Sequence, residues 1–141
     1  MFIKQISIFA ENRNGSVMEI TQILGGAEVN IRALSIADTL DFGVVRLIVD
    51  KPELAIEALR AQNIAVMETD VIAVSVGDTP GSFNEALVAL YEGEVMLEYA
   101  YAFVAPVGGG ATCVLRCREM EKAVELLKAA RIRLLTQTDV A

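Results

Sequence analysis

The sequence contains no histidine and no tryptophan, and only two cysteines and three prolines in 141 residues. Each shortage removes a class of function. Without imidazole there is no Ser-His-Asp or Cys-His nucleophile system and no histidine metal ligand, and two thiols without further soft ligands make a poor zinc site. Cys113 and Cys117 lie four apart in an alternating segment. On a strand they share a face about 13 Å apart, four residues at about 3.3 Å each, which is too far for a disulfide. They read as buried small apolar side chains in a reducing compartment. No catalytic residue, metal or cofactor is expected, and the chain reads as something other than an enzyme.

Long apolar runs are also missing. A membrane-spanning helix needs about 20 mostly apolar residues, whereas the longest uncharged stretch, Tyr99 to Cys113 with its flanks, contains Pro106 and Gly108-Gly109-Gly110 and reads as a strand and a turn. The N-terminal Met1-Phe2-Ile3-Lys4 enters a strand pattern at once and does not resemble a signal peptide. A cytoplasmic location away from membranes is the expectation. No strongly basic stretch occurs, and 12 Lys and Arg against 19 Asp and Glu leave a net charge of −7. That balance argues against nucleic acid, whose affinity comes largely from phosphate neutralisation, and suits solubility. The glycine triplet lacks the Lys-Ser/Thr of a phosphate-binding loop and is followed by a strand rather than a helix. Glu119, Glu121 and Glu125 read as a solvated helix face.

What the chain has in abundance is apolar residues, 54% of the total, arranged as two copies of one pattern. Aligning Gly15-Ser16 with Gly81-Ser82 brings Leu24 onto Leu90, Val29 onto Val95 and Ile31 onto Leu97. After a two-residue shift Leu59 meets Leu127 and Ile64 meets Ile132. Phe2 to Ala10 alternates and is rich in β-formers, which predicts a strand. Val17, Ile20, Ile23 and Leu24 follow at helical spacing, and Gly25-Gly26 supplies the stop. Strands are predicted over Val29 to Ala37 and Val44 to Val49, with a turn at 38–43. A helix starts near Pro52, with Asp50 and Glu53 at capping-box spacing, and Ile64 to Met67 forms a short strand. The second copy predicts a strand over Val71 to Val76, a helix from Phe83 to Leu90, and strands over Val95 to Val104 and Ala111 to Cys117. A helix from Met120 to Ala130 and a strand at Ile132 to Leu135 complete it.

The predicted fold class is α+β: two tandem ferredoxin-like βαββαβ modules, residues 1–69 and 70–141, each an antiparallel sheet with helices on one face. A module of about 70 residues is marginal alone. The high apolar content therefore suggests burial between modules or between chains, and a homodimer.

The features that carry chemistry are the two strand-loop-helix junctions, each with a glycine just before an apolar helix. The first turn of a helix offers unpaired N–H groups and a positive dipole end, where a carboxylate fits, and glycine permits close approach. Asn12 and Asn14 border the first junction and Asp78 and Thr79 the second. The amide oxygen of Asn12 or Asn30, or the Asp78 carboxylate, suits an ammonium group. The same residues also serve simply as helix caps.

Asn12-Arg13-Asn14-Gly15 before a helix and then Val29-Asn30-Ile31, and Asp78-Thr79-Pro80-Gly81 before a helix and then Val95-Met96-Leu97, resemble the ACT domain family of small-molecule-binding regulatory modules in its tandem, free-standing form. The resemblance implies a ligand held by this loop and by the second strand of a neighbouring module. Carried onto this chain, it implies a site drawn from Asn12, Asn14, Gly15, Ser16, Asn30 and Ile31 in the first copy and Asp78, Pro80, Gly81, Ser82, Met96 and Leu97 in the second. Asn14 stands where the family often has proline, and Met96 where it has asparagine, so the two pockets are unequal. The implied function is an allosteric sensor of a free amino acid. Its side chain would rest against Phe83, Met96 and Leu97, with Arg13 and Arg32 available to an acidic one, and its response would pass to a partner enzyme. The alternative is an interaction subunit that binds a partner enzyme and nothing small.

Overall fold

The computed structural model describes residues 2–11, 15–38, 42–105, 107 and 109–141. The elements run β1 (Ile3–Glu11), α1 (Ser16–Gly26), β2 (Ile31–Asp38), β3 (Phe42–Val49), α2 (Pro52–Ala61), β4 (Val66–Val76), α3 (Ser82–Glu92), β5 (Leu97–Ala102), β6 (Ala111–Cys117), α4 (Met120–Ala129), β7 (Arg133–Leu135) and α5 (Gln137–Val140). The chain divides into two compact units, Lys4–Thr69 with Ala141, and Asp70–Val140 with Met1–Ile3.

In the first unit β3 lies between β2 and β1, antiparallel to both. The Phe9 N–H donates to the Ala65 carbonyl at 3.3 Å, just ahead of β4. Residues of one parity, Ile6 and Ile8 on β1 with Val45, Leu47 and Val49 on β3, face Ile20 and Leu24 of α1 and Ala55 and Leu59 of α2. Those helix positions recur at three- and four-residue spacing, so each helix buries one stripe. The second unit repeats the plan. The strand order is β5-β6-β4-β7, and Ile72, Val74, Leu115 and Cys117 pack against Ala86 and Leu90 of α3 and Ala123 and Leu127 of α4. Each unit is thus a βαββαβ module with two helices on one side of an antiparallel sheet. Even irregularities recur: the second strand of each module has a register shift at its start, Ile31/Ala33 and Leu97/Tyr99.

All four long helices end alike. The residue two past the helix is left-handed although none is glycine: Glu28, Asn63, Glu94 and Arg131, with φ from 59° to 61°. The next N–H then reaches back to a leucine carbonyl, Val29 to Leu24, Ile64 to Leu59, Val95 to Leu90 and Ile132 to Leu127, at 2.9–3.1 Å. This is the Schellman arrangement, with its apolar contact across the bond.

Several sequence expectations are corrected. Helix α1 does end at Gly26, but the left-handed position falls on Glu28 and not on a glycine. Of the strand expected at Ile64 to Met67 only Val66 and Met67 are extended in a strand, and they belong with Val71 to Val76 to one strand, Val66–Val76. Glu68, Thr69 and Asp70 are polar but contain no breaker, so the backbone stays extended through them. Asp50 and Glu53 make no capping box. Lys51 is the N-cap, without a side-chain cap, while Asp50 accepts the Asn30 N–H at 2.8 Å and Glu53 pairs with Lys4 at 2.9 Å. The short α5 is not expected from the sequence. Thr136 and Asp139 cap it reciprocally, the Thr136 N–H donating to Asp139 Oδ2 at 2.8 Å and the Asp139 N–H to Thr136 Oγ1 at 3.3 Å.

Candidate functional site

Gly15 is the N-cap of α1 with φ 87° and ψ −1°, and Gly81 is the N-cap of α3 with φ 86° and ψ −5°. The left-handed value explains the glycine, because an L side chain there costs roughly 1–2 kcal/mol. Glycine itself offers no side chain to cap either helix. The two N-cap glycines thus share one backbone conformation, and each stands at a bent helix entry.

Their surroundings differ. At the first junction a cleft of about 320 Å³ opens between the end of β1 (Phe9, Ala10), the first turn of α1 (Ser16, Glu19, Ile20) and the α2–β4 turn (Gln62, Asn63, Ile64, Ala65). Ser16 is buried and Phe9 is 44% exposed. At the second junction the turn is tied to itself. Thr79 Oγ1 and Ser82 Oγ share a hydrogen bond of 2.7 Å, the Ser82 N–H donates to the Thr79 carbonyl at 3.1 Å, and a Cβ on Gly77 would lie 2.9 Å from Ser82 Oγ. Asp78 and Pro80 are exposed on this turn.

Asn12 and Asn14, with Arg13, Pro106 and Gly108, lie outside the described residues. Asn30 and Ile31 stand at the other end of α1 from Gly15. Eleven helical residues span about 16 Å at 1.5 Å each, so one unit does not bring the glycine turn and the strand start together. Asn30 is held by its backbone alone, donating to Asp50 and accepting the Asp50 N–H at 3.1 Å. Met96 and Leu97 stand likewise beyond the far end of α3. Met96 is 56% exposed and accepts the Arg118 N–H at 3.1 Å. With Leu87, Leu90 and Tyr91 these two residues line an open apolar groove bordered by Glu92 and Glu94. Phe83 packs against the core of its own unit. Glu19, Gln62, Asn63 and Ala65 were not singled out in the sequence. The residue one position before the repeated Ile64 and Ile132 was their only signal, since it marks the turn.

Two exposed carboxylates are shifted by their neighbours. Lys4 beside Glu53 holds that carboxyl below its usual range, and the Thr136 N–H and hydroxyl do the same for Asp139. Cys113 and Cys117 are free. Burial, with Glu98 adding to it, pushes the Cys117 thiol up to about 11, and burial raises Cys113 as well. Neither is an activated thiolate. Among the described residues no three carboxylate or thiol groups are placed to hold a metal ion, and no helix is long and apolar enough to cross a membrane.

Comparison with solved structures places this arrangement among known proteins. A protein from Bacteroides thetaiotaomicron is 38% identical, with a TM-score of 0.92 over 99% of this chain and 96% of its own. The ligand-free regulatory subunit of aspartate kinase from Thermus thermophilus shares the fold at 17% identity, with a TM-score of 0.63 over 91% and 89% of the two chains. The corresponding subunit from Thermus flavus does so at 16% identity, with a TM-score of 0.61 over 91% and 92%. No curated protein matches the sequence. The family model describing an ACT domain pair matches residues 1–141, and the chain belongs to the ACT domain pair family.

Proposed function

We propose that this chain is a non-catalytic regulatory protein that binds a free amino acid and passes its occupied or empty state to a partner enzyme. The observation that carries the reading is the left-handed glycine at the entrance of both α1 and α3. The first turn of a helix carries N–H groups and a positive dipole end that suit a carboxylate. Asn30 and Met96 stand a helix length from those glycines, so a strand start from a neighbouring module would complete the site. That supports a homodimer. Free cysteines suit the cytoplasm. The two Thermus proteins of the same fold are themselves named as regulatory subunits, which favours an output through another chain. Occupancy acts by favouring one arrangement over another, so the amino acid must bind the two with different affinity.

The test is thermal unfolding of the full chain with each of the twenty amino acids, followed by calorimetry. One of them is expected to stabilise the protein saturably, and Gly15→Val, which strains the bent entry, to abolish the effect. A flat response across the panel refutes the sensor. The second reading, an interaction subunit that binds nothing small, is favoured by the exposed Tyr91 and Met96 at the groove of the second unit, 83% and 56% exposed. It requires that flat response together with stable binding of a purified partner enzyme.

A further inference from the structure

Resting on the homodimer of the proposed function, we infer that the β2 edge of the first unit joins the β5 edge of the second unit in another copy of the chain. Among the described residues β2 and β5 each pair on one side only, with β3 and with β6. Each therefore leaves a row of backbone donors and acceptors open to a further strand. Their exposed side chains differ reciprocally, and each edge supplies what the other lacks.

The alignment that sets Gly15 on Gly81 also aligns the two edges. Leu34 and Ile36 on β2 correspond to Ala100 and Ala102 on β5. Leu34 and Ile36 are paired in register with Leu47 and Val45, and Ala100 and Ala102 with Leu115 and Cys113. Directly paired residues share a face, so all four lie on the helix-bearing side, and all four are exposed. On the helices the sizes are reversed. Thr21 and Gly25 of α1 correspond to Leu87 and Tyr91 of α3, which share a groove with Met96 and Leu97 at the start of β5. The first edge thus joins a strand of large residues to a helix of small ones, and the second edge does the opposite.

Contact between like edges would crowd one layer and leave the other empty. Two first edges would oppose Leu34 and Ile36 to themselves beneath a bare helix layer, and two second edges would oppose Tyr91 to Tyr91 above a layer of alanines. Contact between unlike edges sets large against small in both layers, which is how close packing is reached. Charge agrees. At the register shifts of the two strands Arg32 corresponds to Glu98, which already holds Arg116 at 3.5 Å. Like edges bring equal charges together there, and unlike edges bring opposite ones. A two-fold dimer that uses both edges of each copy contains the junction twice, so each needs about half of the roughly 1,200–2,000 Å² that a stable interface buries. The exposed Tyr91 and Met96 are then covered by a second copy and not by another protein.

Sedimentation equilibrium of the full chain over a range of concentrations tests this, and the wild-type chain is expected to be a dimer. Ile36→Ser and Tyr91→Ser, one on each edge, should each raise the dissociation constant by about tenfold or more, as truncation of an interface anchor does. Thr21→Leu with Gly25→Tyr makes both helices large and should split the dimer. A Cβ on Gly25 meets nothing within 4 Å in its own chain, so that variant folds. Adding Leu87→Thr with Tyr91→Ala exchanges the helix sizes and should bring the affinity back to within about tenfold of wild type, because the two sets of changes are coupled across the junction. Circular dichroism verifies folding, and the two serine variants carry the test if the fourfold variant does not fold. Dimerisation unchanged in either serine variant, or not restored in a folded fourfold variant, overturns the pairing of unlike edges while the homodimer stands. A wild-type chain that stays monomeric overturns both.

Discussion

The four identical helix endings allow a stability prediction with its magnitude worked from geometry. At Arg131 the backbone has φ 61°. The preceding Ala130 N–H is bonded to Leu126, its own N–H to Lys128 and the following Ile132 N–H to Leu127, at 2.9–3.1 Å, so the left-handed conformation is imposed by the turn. An L side chain pays roughly 1–2 kcal/mol to sit there. Glycine sits there freely but loses more freedom on folding, roughly 0.5–1 kcal/mol. The difference favours Arg131→Gly by about 0.5–1 kcal/mol, which for a chain of this size raises the unfolding midpoint by about 2–4 °C. The assay is thermal unfolding by circular dichroism without ligand, at one fixed protein concentration because oligomerisation shifts the midpoint. Arg131→Ala keeps the Cβ and should gain nothing. Asn63→Gly should gain least of the four equivalent changes, since asparagine tolerates the left-handed region best. A lowered midpoint in Arg131→Gly, or an equal gain in Arg131→Ala, would refute the reasoning, because the effect would then come from the lost side chain and not from the backbone.

Two further predictions concern close packing and buried thiols. A Cβ on Gly110 would lie 2.2 Å from the Val76 carbonyl oxygen, which is backbone, whereas one on Gly93 would meet the Leu126 methyls, which can swing away. Gly110→Ala should therefore destabilise by more than the roughly 1–3 kcal/mol typical of overpacking, and Gly93→Ala by less than Gly110→Ala, as read from urea unfolding midpoints. Cys117, with its thiol pushed up to about 11 by burial, stays protonated in the folded chain while the unfolded thiol ionises from about 8.5. The unfolded state thus binds fewer protons between those values, and the contribution to stability, full below about 8.5, falls as pH rises towards 11. Cys117→Ala should flatten that alkaline decline, and Cys117 should resist iodoacetamide at pH 8 until urea is added.

The two-module plan was legible because its cause is local and repeated. Alternation in β1 and β6, the three- and four-residue stripes of α2 and α4, and the register of Gly15 with Gly81 all follow from the periods of strand and helix. Glycine at those two entries reports a positive φ directly, so the bent junctions could be read before any coordinates. Leucine followed five residues later by Val or Ile, as in Leu24–Val29 and Leu127–Ile132, likewise encodes the helix endings. Gly25 and Gly26 drew attention away from Glu28, because propensity favours glycine at a left-handed position that the Schellman hydrogen bonds can also impose on another residue.

Tertiary structure decided how residues distant in sequence meet. Asp50 prefers the Asn30 N–H to its own helix, since a strand end brings that donor to 2.8 Å, and no spacing within 50–53 announces it. The cleft of the first unit joins β1, α1 and a turn more than forty residues away, and Asn63, Ile64 and Ala65 look like ordinary turn residues until the fold sets them beside a helix entrance. Periodicity specifies which face of an element is buried. Which elements then share a cavity is set by the packing of those faces, and that is a property of the assembled chain.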